Sequence, residues 1–186
     1  MNILFLDQDP RMSAFAHCDE HVKDMIPIYT KLLSTAHHLL DPKGQIVPHL
    51  EELDPDYIIS GGIEGIPLTA AWVKSNDANY MWMHNLWFWL HKEYYFRYNE
   101  MHEDWTNLYN KLSHTPENIT KGELTAPPPF VPEEFLVRGL EDDFQNTIES
   151  YRRYYMDWST KNSATWGGLV ENMRQPPAWI LEDANI

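Results

Sequence analysis

DANYMWMHNLWFWLHKEYYFRYN, the stretch at residues 77–99, carries large apolar and aromatic side chains around almost the whole circumference of a helix. A helix that is apolar on all sides is usually buried at the centre of a domain. Asn76 and Asp77 supply an N-cap at its start, because their short polar side chains accept hydrogen bonds from the first free backbone N–H groups. The stretch therefore predicts a central, buried helix.

The rest of the sequence predicts further helices that pack around this one. Asp9-Pro10 is a typical N-cap and first turn, and it opens a helical pattern over residues 10–40. Pro27 lies inside that pattern and predicts a kink or a division into two helices, because proline removes a backbone donor. Shorter helices are expected at about residues 67–74, 104–112 and 141–158.

Two segments that are not helical complete the predicted fold. The short apolar run at residues 2–6 predicts a buried strand or an extended segment. Residues 115–137 contain five prolines and several apolar side chains, which predicts a connector that wraps over the surface instead of linking two domains. The fold class is therefore mainly α, in a single compact domain over residues 1–186.

Charge and cysteine content restrict the function classes. The 186 residues contain 28 Asp and Glu against 14 Lys and Arg, a net charge of −14, which disfavours tight non-specific binding to DNA. The acidity serves either solubility or attraction to a basic partner, including mimicry of DNA. Cys18 is the only cysteine, which excludes an internal disulfide framework and a zinc site with several thiolates. No apolar run is long enough for a signal peptide or a membrane span, which predicts a cytoplasmic protein.

His17, His21 and Asp24 are the first candidate catalytic residues. Their spacings of four and three residues place them on one face of the predicted first helix. They could share acid–base chemistry or bind a transition metal, or they could form hydrogen bonds inside a helical core. Without a second pair of ligands on another helix, no metal is expected, and the sequence leaves any cofactor undetermined. Lys23 is adjacent and is either a solvated charge or a nucleophile.

The candidate substrate-binding residues are aromatic or cationic. The tryptophans of the central helix could stack on a nucleobase, although core packing is the commoner explanation for such residues. His84 shares a face with His91, so one edge of that helix could border a polar pocket. Arg97, Arg152 and the adjacent Tyr155 could bind a phosphate or carboxylate, or the arginines could pair with the many acidic residues.

Several stretches together resemble a family of uncharacterised proteins from phages and large DNA viruses. They are NILFLDQDP at 2–10, HCDEHV at 17–22, LSTAHH at 33–38, EYYFRY at 93–98, YRRYY at 151–155, ATW at 164–166 and PAW at 177–179. More distantly, the pattern is similar to the small all-α pyrimidine-dimer DNA glycosylases of the phage endonuclease V type. That resemblance implies a viral protein in the host cytoplasm, base removal after nucleotide flipping, Lys23 and Asp24 near the catalytic positions, and Trp72 in the middle segment.

Two hypotheses of function follow. In the first, the protein binds or processes a nucleotide or a nucleic-acid base in a pocket between the first and central helices. His17, His21 and Asp24 then supply polar or acid–base groups, and Arg97 or Arg152 contacts a phosphate. In the second, the scaffold has no catalytic role, and its acidic surface binds a basic host protein.

Overall fold

A computed structural model describes residues 3–41, 66–169 and 174–183. These residues form seven α-helices and one 3₁₀-helix at Glu133–Phe135, and they contain no β-strand. The helices are α1 Pro10–Ala16, α2 Asp19–Leu40, α3 Ile66–Val73, α4 Asp77–Tyr98, α5 Glu103–Leu112, α6 Asp143–Lys161 and α7 Ala178–Asp183. The prediction of a mainly α fold is confirmed.

Helix α4 is the central element. It packs against α1, α2 and α3, and it buries Leu86, Trp87 and Leu90 completely. The Asn76 side chain accepts a hydrogen bond from the backbone N–H of Asn79 and caps the first turn as predicted. The helix ends at Asn99, which adopts the left-handed conformation that commonly terminates helices.

The apolar N-terminal segment, residues 3–6, is extended and buried with its backbone groups satisfied by side chains. The hydroxyl of Tyr29 accepts from the Leu4 N–H at 3.1 Å, and Ser13 Oγ accepts from the Leu6 N–H at 3.2 Å. Ser13 Oγ also donates to the Leu4 carbonyl, and Arg152 Nε donates to the Leu6 carbonyl at 2.9 Å. Of the two predicted forms, the segment is therefore the extended one.

The first long helical pattern divides at a different place from the one predicted. Pro27 lies inside α2, and the chain instead leaves the helical conformation at His17 and Cys18. At the start of α2, the Tyr155 hydroxyl accepts from the Cys18 N–H and the Thr165 carbonyl accepts from the Asp19 N–H, both at 2.8 Å. Pro27 therefore does not divide the chain into two helices, and the division falls at His17 and Cys18, where distant groups bind backbone donors that a continuous helix would direct to its own carbonyls.

The proline-rich connector crosses the helical body, as predicted. The Thr120 carbonyl accepts from the Asp77 N–H at the start of α4, and the Thr125 carbonyl accepts from the indole N–H of Trp72 in α3. Further along, Thr147 Oγ1 of α6 donates to the Pro127 carbonyl at 3.0 Å. Helices α3, α4 and α6 are thus held together by a segment that has no helix of its own before residue 133.

After α6 the chain returns to α1, α2 and α4. The indole N–H of Trp166 donates to the Ala16 carbonyl at 3.0 Å, and the Leu169 N–H donates to the Arg97 carbonyl. Gly168 has a φ of +65°, and a Cβ there would lie 2.8 Å from Cβ and 2.9 Å from the carbonyl oxygen of Arg97. Only glycine fits this contact, because both its positive φ and its lack of a side chain are needed.

Candidate functional site

His17 is a buried residue at the C-cap of α1, with both ring nitrogens hydrogen-bonded. Its Nδ1–H donates to the Ser13 carbonyl at 2.7 Å, which leaves Nε2 as the acceptor from the Tyr29 hydroxyl at 2.9 Å. Burial lowers the pKa of His17 to about 3, so the ring is neutral at physiological pH. This geometry gives His17 a structural role and leaves no nitrogen for a substrate.

His21 lies at the start of α2, stacked on Trp158 with ring centroids 4.0 Å apart. The Tyr155 hydroxyl accepts from the Cys18 N–H at 2.8 Å and shares a hydrogen bond with Nδ1 of His21 at 2.9 Å. Nε2 of His21 is buried without a hydrogen-bond partner among the described residues. Burial lowers the pKa of His21 to about 4 and raises that of Tyr155 well above its usual value.

Lys23 and Asp24 lie on the exposed side of α2, whereas His21 is buried. The Nζ atom of Lys23 is 4.3 Å from the centre of the Tyr98 ring, a cation–π contact at the surface. The structure therefore does not place His17, His21 and Asp24 on one helical face. His17 precedes the break between α1 and α2, and Asp24 points away from His21.

Trp72 and His84 are both buried beside other aromatic rings. The Trp72 indole N–H donates to the Thr125 carbonyl at 3.1 Å, and its ring meets Trp82 edge to face. His84 lies next to Trp87, and the Asn85 side chain interacts with its ring as a hydrogen-bond partner. Burial lowers the pKa of His84. Neither residue contacts His21 or Arg152 in the structure.

Arg97 belongs to a buried ion cluster, which we call the Glu93 cluster and which comprises Asp19, Glu93, Arg97 and Arg174. Arg97 Nη2 donates to Glu93 Oε2 and Nη1 to Asp19 Oδ1, both at 3.0 Å. Arg174 Nε donates to the same Glu93 oxygen at 2.9 Å. Arg97 is only 1% exposed, so its guanidinium is occupied by carboxylates and closed to a phosphate.

Arg152 forms a separate ion pair, with Asp7, near the surface. Its Nε donates to the Leu6 carbonyl, and its Nη2 donates to Asp7 Oδ2 at 3.2 Å. The guanidinium carbon is 5.2 Å from the centre of the Trp179 ring. Nη1 makes no hydrogen bond among the described residues and has only the distant Glu149 carboxylate at 3.9 Å. Arg152 therefore keeps a donor for another group.

A cavity of about 410 Å³ lies beside Arg152, between the N-terminal segment, α1, α6 and the residues that lead into α7. We call it the terminal cleft. Its polar lining includes Asp7, Arg152 and Arg174, and its apolar lining includes Met12, Phe15 and Trp179. Arg174 stacks on Phe15, with its guanidinium carbon 4.2 Å from the ring centre. The volume falls in the range of small-molecule sites, and the mixture of flat apolar walls and few polar groups is typical of them.

Of the residues predicted from sequence, only Arg152 lines this cleft. Sequence reasoning placed the pocket between the first and central helices and did not assign Arg174, Trp179 or Phe15 to it. Arg174 and Trp179 lie in a tail without helical periodicity, so no spacing connects them to Arg152. Because the sequence contains only 14 Lys and Arg, Arg174 could have been considered a candidate binding residue on that ground alone.

No protein-family model, curated protein or solved structure significantly matches this chain. Within the described ranges, no group of three or more His, Cys, Asp or Glu side chains could hold a metal ion. Nor does any helix there have both the length and the apolar character that crossing a bilayer requires.

Proposed function

We propose that the protein binds a nucleotide or a nucleic-acid base in the terminal cleft. One observation carries the proposal, namely that two arginine guanidiniums and two aromatic rings line the same small cavity. Planar bases stack on aromatic rings and on guanidinium planes, and guanidinium N–H groups bind phosphate or carbonyl oxygens.

The arginines keep donors for such a ligand. Arg152 Nη1 and Arg174 Nη1 make no hydrogen bond among the described residues, while their other nitrogens bind Asp7, Glu93 and the Leu6 carbonyl. These existing bonds fix the two guanidiniums in place before a ligand arrives. A site that is already ordered loses less side-chain entropy on binding.

We propose binding only. Glycosylase-like removal of a base stays a prediction that rests on the resemblance to the DNA glycosylases. Lys23 and Asp24, the residues that would correspond to its catalytic groups, lie exposed on α2 and do not line the terminal cleft. Asp7 is the carboxylate in the cleft lining, and it is bonded to Arg152.

Closing the mouth of the cleft should abolish ligand binding without unfolding the protein. Ala178 is exposed and lines the cleft, so Ala178→Glu adds both bulk and negative charge there. We expect at least a tenfold loss of affinity for the best-binding nucleoside or nucleotide, measured by isothermal titration calorimetry. Leu169→Glu is the matched control, because this side chain is 72% exposed and does not line the cleft. Equal affinities in both variants would contradict the proposal.

A second candidate function rests on a different surface. The connector and the start of α6 present five exposed carboxylates within eleven residues, with Arg138 as the one basic residue among them. They are Glu133, Glu134, Glu141, Asp142 and Asp143. This run supports the alternative proposal of an acidic protein that binds a basic host protein, since clustered charges attract an opposite surface.

The acidic run can be tested with a polylysine peptide as the probe. If the run is a binding surface, replacing Glu133, Glu134 and Glu141 with glutamine should weaken binding about tenfold at low salt, and the difference should shrink at high salt. Replacing Asp24, Glu100 and Asp157 with the corresponding amides removes the same charge elsewhere. An equal loss in both triple variants would show that only net charge matters.

A further inference from the structure

We infer that the terminal cleft selects a nucleobase or nucleoside over its phosphorylated forms. This inference rests on the proposed function and names the ligand class within it. The observation behind it is that each arginine of the cleft already has a carboxylate partner. The arginines therefore bring no excess positive charge to a ligand in the cleft.

Each arginine in and behind the cleft is paired with at least one carboxylate. Arg152 donates to Asp7 Oδ2 at 3.2 Å, and Arg174 donates to both oxygens of Glu93. Glu93 also binds Arg97, whose remaining charge is matched by Asp19 at 3.0 Å. The three arginines thus face four carboxylates, because Glu149 lies 3.9 Å from Arg152 Nη1, and they bring no excess positive charge to the cleft.

A cleft without excess positive charge is a poor site for a phosphate dianion. The dianion would lose hydration on entering without meeting a net opposite charge, and burial of an unpaired charge is costly. The protein's net charge of −14 adds long-range repulsion. A nucleobase carries carbonyl oxygens that accept from the Nη1 donors of Arg152 and Arg174, and its flat faces suit Phe15 and Trp179.

Asp7 is the carboxylate through which this selectivity can be changed. Its side chain is 35% exposed, whereas that of Glu93 is 2% exposed. Asp7→Asn removes one negative charge from the cleft lining, and the amide oxygen can still accept from Arg152. The Nε bond from Arg152 to the Leu6 carbonyl does not involve Asp7. The variant therefore makes the charge of the cleft lining more positive by one, while Glu149 remains 3.9 Å from Arg152 Nη1.

The experiment compares uridine and adenosine with their 5′-monophosphates by isothermal titration calorimetry at low salt. In the unaltered protein we expect the nucleosides to bind at least threefold more tightly. In Asp7→Asn the ratio of monophosphate to nucleoside affinity should rise by roughly five- to tenfold, and the gain should shrink with added salt. Glu134→Gln, which removes one exposed negative charge outside the cleft, should change the ratio less than twofold.

The outcomes separate this inference from the proposed function. Tighter binding of monophosphates than of nucleosides by the unaltered protein would overturn the inference and leave the proposed function standing. An equal ratio in Asp7→Asn and Glu134→Gln would overturn the charge of the cleft lining as its cause. If none of the four probes binds, the proposed function fails and the inference fails with it.

Discussion

Replacing Glu93 with glutamine is expected to lower the free energy of unfolding by about 3–5 kcal/mol. The Glu93 side chain is 2% exposed and accepts hydrogen bonds from both Arg97 and Arg174. Glutamine keeps the shape but removes the charge, and its amide group would turn N–H donors toward guanidinium donors. The positive charge of Arg97 would then be buried with Asp19 as its remaining partner. Urea denaturation followed by circular dichroism measures the effect.

Asp157→Asn is the matched control for this variant. Asp157 also pairs with a residue four positions away on its helix, Lys161, at 2.7 Å, but the lysine side chain is 70% exposed. Exposed pairs of this kind contribute about 0.2–1 kcal/mol. A loss below about 1 kcal/mol in Glu93→Gln would show that the Glu93 cluster does not hold the C-terminal residues on α4.

Acidification from pH 6.5 to pH 5.5 is expected to remove about 3 kcal/mol of stability. Burial lowers the pKa of His17 to about 3, and it lowers the pKa values of His21 and His91 to about 4. Below pH 6.5 the unfolded chain binds these protons and the folded protein does not, so stability falls as the pH falls toward 4. Each such histidine contributes about 1 kcal/mol over this window, because an unfolded histidine goes from about half to about nine-tenths protonated between pH 6.5 and 5.5. Urea denaturation across pH 5–8 measures the slope.

A single substitution measures the contribution of His21 to this pH dependence of the free energy of unfolding. His21→Phe keeps an aromatic ring against Trp158 but cannot bind a proton, so the pH dependence should fall by about one proton. His38→Gln removes an exposed histidine from the same helix and serves as the control. If the slope of the His21 variant equals that of the unaltered protein, then His21 is already protonated or accessible in the folded state.

The helical elements could be predicted because their signals are local. The apolar circumference of α4 and its Asn76 cap both lie within the helix or next to it, and both predictions are confirmed. The break before α2 could not be predicted, because Tyr155, 137 residues away, binds the Cys18 N–H. Pro27 was the only local signal of a break, and the helix continues through it.

The residues of the candidate site show the same difference between local signals and long-range contacts. Glu93 and Arg97 are four residues apart on one helix, a spacing that favours ion pairs and that could have indicated an internal partner for Arg97. Arg152 and Trp179 meet only because α6 and α7 fold onto the N-terminal segment. Contacts of that kind depend on tertiary packing, and no pattern within either segment contains them.

The buried N-terminal segment also constrains when this protein can fold during its synthesis. Residues 3–6 leave the ribosome well before Arg152, which binds the Leu6 carbonyl and is translated 146 residues after it. At about 5–20 residues per second, this delay is roughly 7–30 s. Throughout that interval the nascent chain carries an apolar segment without its final partner, which exposes it to aggregation and to chaperones. Completion of the core is therefore expected to occur after α6 has emerged, and folding should be slow for a helical protein because its defining contacts are long-range.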